Sequence, residues 1–142
     1  MTENITSAEI VSDLIRIHAD RRDIYKQILK DSDKEDLDMK AIFERIVEES
    51  ITYGKQLQEQ IRPETSSPGK IYTMWLNEKP PVPEGSKKSI LATCAADELV
   101  TNNTYSISIA MVTDEKIRTL LEEHQQGLKK QYSHLKQYYH AQ

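Results

Sequence analysis

The chain has 142 residues, enough for one domain with a real core. Charged residues are 30% and aromatics 6%, with only 4 Gly and 5 Pro, a mixture that favours long helices over strands. The formal charge of −4 leaves no basic face to neutralise phosphates, so nucleic acid is not an expected partner, and the single cysteine, Cys94, excludes an intrachain disulfide and a cysteine-based zinc site.

The opening MTENITSAEI has no basic region followed by an apolar run, so it does not read as a signal peptide. No stretch approaches the eighteen or so apolar residues of a membrane span. A soluble cytoplasmic protein, without membrane or nucleic-acid partner, is the expectation.

Thr6-x-x-Glu9 is a capping box and opens a first helix, expected over 7–30. Ile10, Leu14, Ile17, Ile24 and Ile28 share one face, with Arg21 filling the gap in the series, and Val11, His18 and Tyr25 form a row beside it. Ser32-x-x-Glu35 is a second capping box. The helix it opens is expected over 35–62, stopped by Pro63, with the stripe Met39, Ile42, Phe43, Ile46, Glu49, Tyr53, Leu57 and Ile61.

The connector 63–85 breaks the pattern and holds all five prolines, with Gly69 and Gly85. Within it Lys70–Glu78 can make two helical turns, placing Ile71, Met74 and Trp75 inward as a plug. A connector this long needs a reason. It can be a lid, or it can cross from one end of the helices to the other, a span of roughly 40 Å at ~1.5 Å per residue of helix two. The crossing makes helices two and three parallel.

Helix three is expected over 86–112, with Ile90, Leu91, Cys94, Glu98, Thr101, Tyr105, Ile109 and Val112 on one face. Thr113 is the expected N-cap of helix four, over 114–140, whose stripe is Ile117, Leu120, Leu121, His124, Leu128, Tyr132, Leu135 and Tyr139. The whole chain thus reads as a single domain, 1–142, of all-α class: a ferritin-like four-helix bundle with a long crossover connector containing a short helix.

Each long helix carries a polar interruption near its middle: Arg21 with His18 beside it, Glu49, Glu98 and His124. Antiparallel helices align their middles, so these form one candidate buried polar layer. Two readings compete. One is a salt-bridge network with Arg21 between Glu49 and Glu98. The other is a metal site, iron or zinc, with Glu49, Glu98 and His124 as ligands and His18 as a further candidate. Di-iron bundles draw on Glu-x-x-His pairs, and no histidine here has a glutamate three residues before it. No phosphate loop, nucleophile elbow or triad is present, and no catalytic residue is assigned.

The pattern Ser67…Trp75…Lys79…Ile90-Leu91…Cys94…Glu98…Tyr105, with Leu57 and the Leu128–Leu135 region, resembles the bacterial ferritin-like four-helix domains grouped as a domain of unknown function. The resemblance covers residues 10 to about 136 and implies the fold without an activity. The chain has Thr93 and Ala95 where such domains carry acidic residues, Tyr132 where they carry a histidine, and Asp23 in place of a helix-one glutamate; Glu98 matches. Most carboxylates that ferritin-like relatives use for iron are therefore absent. The resulting expectation is a non-enzymatic stress-related or interaction module without a cofactor, the alternative being a ferritin-like metal-binding protein with a degenerate carboxylate and histidine site. A homodimer is expected, because adjacent Tyr138 and Tyr139 cannot both face one core. A pocket gated by Ile71–Trp75 is a third possibility.

Overall fold

A computed structural model of the chain describes residues 5–31, 36–61 and 67–142. Among them the structure is all-α, with α1 Ser7–Asp31, α2 Leu37–Gln58, α3 Lys70–Glu78, α4 Lys87–Met111 and α5 Glu115–His140, and no strand. No helix among the described residues is long and apolar enough to cross a membrane.

The starts are set by side chains that take up free backbone N–H groups. Thr6 Oγ1 accepts from the Glu9 amide at 3.1 Å, as the capping box requires. Ser86 does the same for Ser89 at the start of α4. Two expected caps change. Ser32-x-x-Glu35 lies outside the described residues, and α2 is capped by Asp36, which accepts from the Met39 amide at 3.0 Å. At α5 the cap is Asp114 rather than Thr113: Asp114 accepts from Ile117 at 3.1 Å, while the Thr113 amide donates to Ser7 Oγ. Helix α2 also ends at Gln58, before the 62 expected from Pro63.

Side-chain pairings fix the helix directions. Tyr25 packs on Phe43 and Arg21 meets Glu49, so α1 and α2 are antiparallel. His18 meets Tyr105, Arg21 meets Glu98 and Tyr25 reaches the Cys94 carbonyl, so α1 and α4 are antiparallel too. Helix α5 runs against α4 through Tyr105–His124 and Ile109–Arg118, and against α2 through Gln56–His124 and Glu49–Gln131. Helices α2 and α4 therefore point the same way. Their starts meet where Lys87 of α4 pairs with Asp36, whose two oxygens also share the hydrogen of the Tyr138 hydroxyl near the end of α5.

Helix α3 is fastened from both sides. The Gly69 amide donates to Asp13 Oδ1 at 2.9 Å and the Tyr72 amide to Oδ2 at 3.1 Å, so a carboxylate from α1 satisfies the positive start of α3. A Cβ at Gly69 would stand 2.6 Å from Asp13 Oδ2, which is why this position is glycine. On the inner face Trp75 is 1% exposed and its indole N–H donates to Thr101 Oγ1 at 3.0 Å. Trp75 and Ile71 are packed side chains of the core rather than a gate over a pocket.

The apolar interior is in two parts. One gathers Ile10, Leu14, Ile17, Leu57, Trp75 and Leu121; the other gathers Ile28, Phe43, Ile46, Leu91, Cys94 and Leu135. The polar layer lies between them in register along α1, α2, α4 and α5.

Candidate functional site

All five residues of the expected polar layer lie inside the fold. Arg21, His18, Glu98 and His124 are each 2% exposed or less, and the Glu49 side chain 8%. They do not form a single cluster. They divide into a charged knot and a neutral chain, joined by a serine.

Arg21 is the centre of the knot. Its Nε donates to Glu98 Oε2 at 3.0 Å and its Nη2 to Glu98 Oε1 at 2.5 Å, the two-pronged fit of a guanidinium on a carboxylate. Nη2 also donates to Glu49 Oε1 at 2.9 Å, and Nη1 to Ser50 Oγ at 2.8 Å. Tyr25 adds a hydroxyl bond to Glu98 Oε2, and Gln131 Nε2 donates to Glu49 Oε2 at 3.1 Å. Burial works to pull the Arg21 pKa down, but Glu98 and then Glu49 outweigh it, and the net direction is up. Glu49 shifts upward because burial outweighs the pull of Arg21.

The neutral chain starts at Ser50. Its Oγ lies 3.1 Å from His18 Nδ1, His18 Nε2 lies 2.7 Å from the Tyr105 hydroxyl, that hydroxyl lies 3.0 Å from His124 Nδ1, and His124 Nε2 lies 2.8 Å from Gln56 Oε1. The two ends assign the protons between them. Arginine can only donate, so Ser50 accepts from it, and its own hydrogen goes to His18 Nδ1 once His18 carries its proton on Nε2. At the other end Gln56 Oε1 can only accept, so His124 carries its proton on Nε2 and receives the Tyr105 O–H at Nδ1. Tyr105 then accepts from His18 Nε2–H. Every bond points one way, from Arg21 to Gln56.

Both histidines are held neutral. Burial lowers the His18 pKa well below its ordinary value, helped by Arg21 and His124, and burial lowers His124 to about 4. Tyr53 lies flat on the His124 ring at 3.8 Å, and its hydroxyl sits over Gly127: a Cβ there would stand 2.0 Å from that oxygen. Close packing thus explains a glycine inside α5.

The candidate ligands Glu49, Glu98 and His124 are not brought together as a metal-holding group. Both carboxylates turn to Arg21, and both His124 nitrogens go to Tyr105 and Gln56. Among the described residues, no group of three or more His, Cys, Asp or Glu could hold a metal ion.

Sequence reasoning missed several members. Ser50 joins the two halves, Gln56 ends the chain and Gln131 supports Glu49. Asp97 is also buried, at 5% exposure, and neither carboxylate oxygen has a hydrogen-bond partner. Burial raises its pKa to about 7, against a partial pull from Lys79. The other buried polar residues of α4 turn back on their own helix: Thr101, Asn102, Thr104 and Ser108 each donate to the carbonyl four residues earlier. Tyr138 and Tyr139 are both half-buried, the first hydrogen-bonded to Asp36 and the second beneath Lys88.

No family model matches the chain, and neither curated proteins nor solved structures give a match.

Proposed function

We propose that the chain is a ferritin-like four-helix bundle of bacterial type that acts in the cytoplasm as a non-enzymatic interaction module, with a polar layer that serves the fold. The observation that carries this reading is that Arg21, Glu49, Glu98, His18 and His124 all find their partners within the protein itself. Arg21 spends its donors on Glu98, Glu49 and Ser50, and the histidines spend both ring nitrogens on neighbours. A charged guanidinium between two carboxylates supplies the positive charge that iron supplies in a di-iron bundle.

The assembly is a homodimer. Helix α4 supports this reading: its outer face exposes Leu99, Ile107 and Met111, and its two carboxylates, Asp97 and Glu98, are turned inward. A neutral face of this kind suits a second copy better than water.

Metal analysis and light scattering test the proposal. Purified protein is expected to carry no stoichiometric iron or zinc, to keep its melting temperature in chelator, and to show twice the 16.4 kDa chain mass. Stoichiometric metal whose removal lowers the melting temperature by many degrees would make the degenerate ferritin-like metal site, on Glu49, Glu98 and His124, the better reading. A species of single-chain mass at high concentration would remove the dimer.

A further inference from the structure

The two glycines inside long helices differ. Gly127 is forced by packing, as described. At Gly54, in α2, a Cβ would meet only His18 Cβ among the described residues, at 3.8 Å, an ordinary contact. Its backbone is not in the left-handed region, since Gly85 alone has positive φ among the described residues. Neither space nor conformation requires glycine there, and glycine is among the poorest residues in a helix interior. What Gly54 does is leave open a groove of about 220 Å³ between α1 and α2.

The groove has a particular chemistry. Gly54, His18 and Ser50 lie along it, and Arg22, Lys55 and Gln58 stand around it. No carboxylate lines it, although the chain as a whole carries a net charge of −4. Arg22 gives one bond, through Nε, to exposed Asp23, and its guanidinium has further donors. Two cations and an amide around a space too small for a drug-sized ligand match a small, hydrogen-bond-accepting anion.

We propose that this groove binds a small oxyanion, a carboxylate or phosphate group, between Lys55 and Arg22 and beside Gly54.

Thermal unfolding at constant ionic strength, with sodium phosphate or sodium acetate replacing sodium chloride, tests this on the wild type, Lys55→Gln and Gly54→Ala. The wild type is expected to show a saturable rise in melting temperature with at least one of the two salts, and the salt with the larger effect identifies the anion class. Both variants are expected to need at least tenfold more of that salt. Gly54→Ala is a better helix former, so its melting temperature in chloride should match or exceed the wild type, which separates lost binding from lost folding. The amide resonances of Ser50, Gly54 and Lys55 should move on titration in the wild type. Absence of a saturable effect with both salts, or an undiminished effect in either variant, overturns the proposal.

Discussion

The charged knot around Arg21 and the neutral chain from Ser50 to Gln56 lie side by side in one layer, yet they are buried on different terms. The knot takes three ionisable groups out of water and depends on short contacts between opposite charges: one guanidinium shared by Glu98 and Glu49. The neutral chain carries no net charge and depends on counting, with one donor for each acceptor in sequence. A fault in the first leaves a bare charge in a low dielectric. A fault in the second leaves an unpaired dipole, which costs less.

Four measurements can break or sharpen that contrast. The largest effect is expected from Arg21→Met, which leaves Glu98 and Glu49 buried without their cation. Chemical denaturation should show a loss of about 3–5 kcal/mol, against under about 0.5 kcal/mol for the exposed control Lys26→Met. A harmless Arg21→Met would mean the carboxylates are neutralised in another way.

Acid should act next, through the chain. An unfolded histidine has a pKa near 6.5, whereas folded His124 lies at about 4 and His18 is well below its ordinary value. Depressed folded values mean stability that is present above pH ~6.5 and is lost as pH falls toward ~4. The loss should reach roughly 2 kcal/mol or more by pH 4, and His124→Gln should flatten it. A stability profile level from pH 7 to 4.5 in the wild type would contradict the neutral-histidine assignment.

Tyr105→Phe removes the one atom that joins the two rings, leaving His18 Nε2–H and His124 Nδ1 unpaired. The expected cost is about 1–3 kcal/mol, below that of Arg21→Met. Equal costs would end the distinction between the two halves.

The smallest effect should be a gain. Asp97 has a folded pKa of about 7, above its ordinary value, so its share of stability is full below pH ~4 and declines as pH rises through about 7. Asp97→Asn should therefore be near neutral at pH 4 and stabilising by roughly 1 kcal/mol at pH 8. A loss at pH 8 would point to a bonding role for the carboxylate.

Much of this was legible in the sequence, and the rest was hidden for identifiable reasons. Residues Arg21, Glu49, Glu98 and His124 stood out because each interrupts an apolar stripe, and a charge there has to be answered. Trp75 and Ile71 were legible because their spacing made one face of a short helix. Ser50 and Gln131 were not, since a small or neutral polar residue beside a stripe carries no periodic signal. Asp97 was read past because its neighbour Glu98 occupied the stripe, yet α4 buries a wider arc than one row, from Asp97 round to Asn102. Asp13, which holds the start of α3, is a contact of residues 56 and 59 positions apart and follows no local pattern.

The order in which the polar layer can assemble follows from its sequence separations. Arg21 meets Glu49 across 28 residues and Tyr105 meets His124 across 19, so each contact can form within its own antiparallel pair of helices. Two of the bonds that join the pairs, Arg21–Glu98 and His18–Tyr105, close loops of 77 and 87 residues. Such distant closures carry the larger entropic cost and are late events in folding. When the pairs dock, a shift of one turn along α4 would move Arg21 from Glu98 to Cys94 or Thr101, neither of which carries a charge, and break the neutral chain between His18 and Tyr105. The layer thereby acts as a proofreading step, rejecting misaligned docking that two purely apolar faces would tolerate.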